Sequence, residues 1–417
     1  MSGQPALERR LGTGDAVLLG LGSMIGAGVF AAFAPAAAAA GAWLMVGLVL
    51  AALVAYSNAS SSAQLAAQYP SSGGTYLYGR ERLGEWWGFV AGWSFVAGKT
   101  ASLAAMALTF AAYAVPPQWQ RPAAVAAVVA VAAVNYRGIA RTARLTRVIV
   151  TVVLAALATG VAVSLAGDDP AASRLALTTG SAGVYEVLQS AALLFFAFAG
   201  YARIATLAEE VRDPRRTIPR AVTIALLVTV LVYSSVGATV LAVLGPDGVA
   251  TSAAPLATAV ETTGSDLAGT VVRVGAAAAS LGALLALVAG VGRTALAMGR
   301  HGDLPSWLAA VHPRFHAPHH AEVSVAAVVC VLVLTVDLRG VIGFSAFGVL
   351  LYYLVANLAA FTQDSEHRRY PRFLQVTGVV GCGILALTVP LGSLLSGILV
   401  LAVGVGYRLW LVRHAGK

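Results

Sequence analysis

Gly20-Leu21-Gly22-Ser23-Met24-Ile25-Gly26-Ala27-Gly28 interrupts an apolar run that starts near residue 14. Irregular backbone cannot face hydrocarbon, because each bare N–H or C=O there costs several kcal/mol. A glycine cluster in mid-run therefore marks a membrane helix that breaks where it is enclosed by protein. Phe195-Phe196-Ala197-Phe198-Ala199-Gly200-Tyr201 interrupts the sixth apolar run in the same way. The first cluster is not a dinucleotide loop: no strand precedes it and no suitably placed acid follows.

Composition supports the membrane setting. Of the 417 residues, 59% are hydrophobic and 11% charged, against about 25% charged in a soluble domain. A bilayer span needs about 20 apolar residues. Twelve such runs are expected near 14–37, 41–66, 84–114, 122–136, 145–166, 183–206, 220–244, 269–297, 322–338, 340–362, 373–391 and 393–412. The fold class is an all-α membrane protein forming one polytopic domain over 1–417. Its expected parts are a first repeat about 14–166, a second about 183–362 and two C-terminal accessory helices about 373–412. No cleavable leader is expected.

Charge orients the spans. With the N-terminus inside, the inner segments hold Arg9, Arg10, Arg80, Arg82, Arg137, Arg141, Arg144, Arg147, Arg212, Arg215, Arg216, Arg220, Arg300, Arg314, Arg368, Arg369, Arg372, Arg408, Arg413 and Lys417. The outer loops hold only Arg121, Arg174 and Arg339. This asymmetry places both termini in the cytoplasm of an inner-membrane protein. It also accounts for the net charge of +9 without nucleic acid. The loop at Asp168-Asp169 and the segment 245–268 are expected outside.

A pair of interrupted spans in corresponding positions of two halves points to a transporter site at the breaks. A broken helix offers N–H groups to an anion and carbonyls to a cation. The Ala27 and Gly28 amides suit a carboxylate. Carbonyls near Met24, Phe196 and Ala199 suit an ammonium. The competing reading of these small residues is close helix packing. The candidate binding set is Ser23, Met24, Ile25, Gly26, Ala27, Gly28, Phe196, Ala197, Ala199 and Gly200. A channel would need repeated polar rings, and an enzyme a cluster of reactive groups at one depth. The spans hold neither. No cofactor is implied. Cys330 and Cys382 read as core residues. Pro318-His319-His320 lacks the spacing of a zinc site.

Lys99, in Ala97-Gly98-Lys99-Thr100, precedes only Lys417 among the lysines and sits halfway along the third span. A charge there is costly. It is the candidate for coupling, by its positive charge or a titratable proton, and it would repel cationic side chains. The alternative is a structural lysine bonded to the carbonyls of a broken helix.

These residues resemble the amino acid–polyamine–organocation permeases, bacterial members included. The resemblance runs through Gly22 to Phe30, Tyr69-Pro70-Ser71-Ser72-Gly73-Gly74-Thr75-Tyr76, Asn135 and Gly138, Phe196 to Gly200, Glu210, Asp213-Pro214, Ile218-Pro219-Arg220, Arg293, and Ala297 to Pro305. It implies a five-plus-five inverted repeat with two extra helices, and an amino acid bound between the first, third, sixth, eighth and tenth helices. Phe196 then takes the place of an aromatic that caps the substrate from outside. Val153 stands where some proton-coupled relatives carry a lysine, Tyr201-Ala202 where some exchangers carry a glutamate, and Gln64 where a glutamate is common. No hydroxyl lies between Leu284 and Gly292, so sodium coupling is disfavoured. The resulting expectation is a secondary transporter working by alternating access, coupled to protons, with small or neutral substrates favoured. Exchange, export, polyamine carriage and substrate sensing are the alternatives.

Overall fold

Lipid forces every backbone polar group in a span to bond within its own segment, and each of the twelve expected runs is built on helix, with the first and the sixth interrupted. The computed structural model describes residues 12–69, 73–138, 143–167, 170–177, 182–201, 204, 211–315 and 317–415. Arg9, Arg10, Pro70, Ser71, Ser72, Arg141, Asp168, Asp169, Ala202, Arg203, Glu209, Glu210, His316 and Lys417 lie outside the described residues.

The first span comprises α1 (Thr13–Met24), α2 (Ala27–Ala31) and α3 (Phe33–Ala40). The next four are α4 (Leu44–Gln68), α6 (Glu85–Ala114), α7 (Gln120–Tyr136) and α8 (Ala143–Ala166). The sixth is α9 (Val184–Phe198). Then come α10 (Pro214–Thr251), α12 (Asp266–Arg300), α13 (His319–Thr335), α14 (Leu338–Phe361), α15 (Arg372–Leu387) and α16 (Leu391–Ala415). Among the described residues, eight stretches are long and apolar enough to cross a membrane by length and hydropathy alone. Val184–Phe198, His319–Thr335 and Arg372–Leu387 are shorter apolar helices. Long apolar side chains exposed along α15 and α16, such as Phe373, Leu387, Leu395 and Leu399, suit a lipid-facing surface.

Two helices depart from the expected loops. α5 (Gly74–Leu83) follows the second span, and α11 (Pro255–Glu261) lies in the segment read only as an outer loop. Both are too short to carry a span-length apolar signal. Gly245, at φ 69°, ends the regular part of α10 where the seventh span was expected to stop.

Side-chain contacts tie segments together at each end of the helices. Arg82 bonds Thr362, Arg147 pairs with Asp15, and Asp303 pairs with Arg80 and Arg408 at one end. At the other, Arg121 bonds the Leu334 carbonyl, Arg174 that of Ala242, and Arg339 the Gln189 amide. Each pair joins segments assigned to the same side by charge. α12 is 35 residues long, or about 52 Å, so it outreaches the hydrocarbon core of roughly 30 Å. The helix is therefore longer than the core it would cross.

Candidate functional site

The first span stops at Met24 because Ile25 and Gly26 leave helical geometry (φ −82°, ψ 58° and φ −105°, ψ −136°). A helix leaves its first N–H groups without carbonyls to bond, so the break frees the amides of Ala27 and Gly28. The sixth span stops at Phe198, and Ala199 (ψ 3°) begins the turn. The two breaks touch. A Cβ on Gly28 would lie 2.5 Å from Ala197 Cα and 2.7 Å from Ala197 Cβ. One on Gly200 would overlap the Ser23 carbonyl. Glycine is required at both because two backbones meet there. The packing reading therefore holds for both of these glycines. Gly20 is packing alone: a Cβ there would overlap the Ile204 side chain.

A cavity of about 570 Å³ opens beside this contact, within the usual range for small-molecule sites. Ser23, Met24, Gly26, Ala27, Gly28, Phe196, Ala197, Ala199, Gly200 and Lys99 all line it. Ile25 does not. It is 3% exposed and packs in the apolar core while its N–H bonds the Leu21 carbonyl.

The freed carbonyls are also not as expected. The Tyr233 hydroxyl lies 2.6 Å from Met24 O and 2.9 Å from Ala197 O, so one proton ties both breaks to α10. Ala199 O accepts from Tyr353 Oη at 3.2 Å and from Lys99 Nζ at 3.4 Å. Protein donors thus occupy carbonyls that the sequence assigned to a substrate ammonium. Lys99 has the geometry of the alternative structural reading, yet its side chain still lines the cavity.

Sequence reasoning passed over several lining residues: Tyr76, Phe95, Ser102, Met106, Thr294 and His301. Arg293 and Tyr352 line it as well. Trp93 does not line it. It donates to Val400 O at 2.9 Å and stacks between Phe89 and Tyr407. Tyr233 was legible in principle, since a tyrosine deep in an apolar run needs a partner for its hydroxyl.

A charged cluster borders the mouth. Asp303, 0% exposed, accepts from Tyr76 Oη at 2.7 Å and Arg80 Nη1 at 2.9 Å, and also from Arg408 Nη1. Glu85 lies 3.1 Å from both arginines. Burial, then the hydrogen bond to Asp303, pushes the Tyr76 phenol well above its ordinary value, so it stays a donor. This cluster joins α5, α6, α16 and the loop after α12.

Toward the opposite end the path is shut. Gly28 lines the cavity, while Ala34 lines a second one of about 530 Å³ with Arg121, Asp337 and Arg339. Val29, Phe30, Ala31, Ala32 and Phe33 between them are buried. Tyr113 donates to Phe30 O at 3.2 Å, and Phe196 packs with Ala31 and Leu284.

The sequence profile of the amino acid permease family matches residues 11–407. The chain belongs to that family. An uncharacterized transporter of Mycobacterium tuberculosis is 56% identical to the permease, covering 98% of this chain and 93% of its own. A branched-chain amino acid permease of Bacillus subtilis is 26% identical, with 91% and 86% covered. A low-affinity putrescine importer of Escherichia coli is 29% identical, with 84% and 82% covered. The permease is therefore a multi-pass membrane transporter of the amino acid and organocation class, not an enzyme.

Proposed function

We propose that this permease is a secondary active transporter of the cytoplasmic membrane that carries a small amino acid by alternating access. The observation that carries the reading is a cavity lined by both helix breaks, closed at one end by buried residues that include Phe196, Ala31 and Leu284 and reaching Arg300 and His301 at the other. With both termini cytoplasmic, as the arginine distribution favours, that open end faces the cytoplasm. The conformation is then inward-facing.

The five-plus-five repeat supplies the two halves, about 14–166 and 183–362, that rock against each other, with 373–412 as accessory helices. Ala27 and Gly28 amides hold the substrate carboxylate. Phe196 covers it on the outer side. Ala286, Leu287 and Gly290 line the eighth span's face of the cavity without a side-chain oxygen, and Thr294 is the hydroxyl that this span adds to the lining among the described residues; one hydroxyl is a poor cage for sodium, which disfavours that ion. Protons are the coupling ion on this reading, with Lys99 as the titrating group.

The test is uptake of radiolabelled amino acids into proteoliposomes with and without an inward proton gradient. Gradient-stimulated uptake of one class is expected. Flux that ignores the gradient and needs amino acid on the far side would replace symport with exchange. Substrate binding without any flux would turn the reading to a sensor.

A further inference from the structure

We infer that the central cavity selects amino acids of net negative charge, with Lys99 as counter-charge to the additional carboxylate. The inference rests on the permease reading above and concerns the charge of its substrate.

The charged lining is one-sided. Lys99, Arg293 and Arg300 line the cavity, and no aspartate or glutamate does so among the described residues. The nearest acid along the chain from Arg300, Asp303, is enclosed by Tyr76, Arg80 and Arg408, so its charge is spent inside the protein. Glu322 packs against Gly292 and is 3% exposed; it does not line the cavity. Arg293 and Arg300 are exposed at the mouth, where they raise the local concentration of anions.

Lys99 is the buried member, 8% exposed. An ammonium carries three donors. Here one reaches Ala199 O at 3.4 Å, and among the described residues no carboxylate stands within ion-pair distance of it. A buried cation without a counter-ion is costly, and a carboxylate with good geometry offsets that cost.

The second observation is independent of charge. Met24 O and Ala197 O face the Tyr233 hydroxyl, and Ala199 O accepts from both Tyr353 and Lys99. The site's own donors fill acceptors that would attract a substrate cation. A zwitterion brings one carboxylate and one ammonium, and its ammonium adds to the positive field of Lys99. A second carboxylate cancels it. Alanine-rich walls limit size and say nothing of charge, so the expectation of a small substrate stands while the neutral one gives way to an acidic one. Cationic amino acids and diamines are excluded by like-charge repulsion.

The experiment uses the purified full chain in proteoliposomes with L-aspartate, L-glutamate, L-alanine, L-leucine, L-arginine and putrescine. Aspartate or glutamate should exceed alanine in kcat/KM at least about tenfold, and arginine and putrescine should neither enter nor compete. In Lys99→Met the ratio of acidic to neutral uptake should fall at least about tenfold, while Lys99→Arg keeps it. If Lys99→Met does not fold, protection of the wild type against heating in detergent gives a second reading: glutamate or aspartate must protect at lower concentration than alanine. Wild-type preference for alanine, leucine or arginine would overturn the inference and leave the permease reading intact. An unchanged ratio in a folded Lys99→Met would also overturn it. Flux of none of the six compounds would overturn this inference and leave the permease reading to the wider amino acid panel.

Discussion

Gly28→Ala puts a methyl group where the two broken helices meet. The new Cβ would lie 2.5 Å from Ala197 Cα, 2.7 Å from Ala197 Cβ and 3.5 Å from Ala197 C. Carbon atoms pack at about 3.5–4.0 Å, so the first and sixth spans must part by about 1 Å. Neither Ala197 atom can rotate away, because one is backbone and the other is fixed to it. Overpacking of this kind costs about 1–3 kcal/mol. At 1.4 kcal/mol per tenfold, the state in which the helices touch loses a factor of about 5 to 140 in population. Transport into proteoliposomes should fall by a comparable factor if the cycle passes through that state, and the melting temperature in detergent should drop. Gly383→Ala is the control, since nothing lies within 4 Å of its Cβ position; it should be neutral or slightly stabilising. Wild-type transport and melting in Gly28→Ala would refute the claim that the two breaks are held in contact.

Three further outcomes follow from the same geometry. Tyr233→Phe leaves the Met24 and Ala197 carbonyls without their shared donor; thermal unfolding should show a loss of roughly 1–3 kcal/mol, the cost of a buried unsatisfied group, together with slower transport. Asp303→Asn sets Arg80 and Arg408 against each other without the buried carboxylate, and should destabilise the protein by about 3–5 kcal/mol, a loss that an unchanged melting curve would contradict. Phe196→Ala thins the layer between the two cavities, so a thiol reagent applied from the outer side should reach a cysteine placed at Ala286 faster than in the parent; equal rates would assign the seal to other residues.

Much of the fold could be read directly because the bilayer makes local demands. A span must be long, apolar and internally bonded, so a run of residues reports its own structure without knowledge of its neighbours. The helices α5 and α11 escaped because ten and seven residues outside the membrane are under no such demand. The breaks were legible for the same reason that the spans were: glycine clusters in apolar runs contradict their surroundings, and Gly26, Gly28 and Gly200 do line the cavity.

What the sequence by itself determined is therefore the set of spans, the two interruptions and the anomaly of Lys99. Tertiary structure alone decided which groups at those interruptions remain available. Tyr233 and Met24 are 209 residues apart, Tyr353 and Ala199 are 154 apart, and Lys99 and Ala199 are 100 apart. Hydrogen bonds across such separations depend on helix placement, which a single sequence does not encode locally. The same holds for Asp303, whose charge is cancelled by arginines 223 and 105 residues away. Local hydrophobicity builds the helices; long-range donors and acceptors then settle which carbonyls and which charges are left for a substrate.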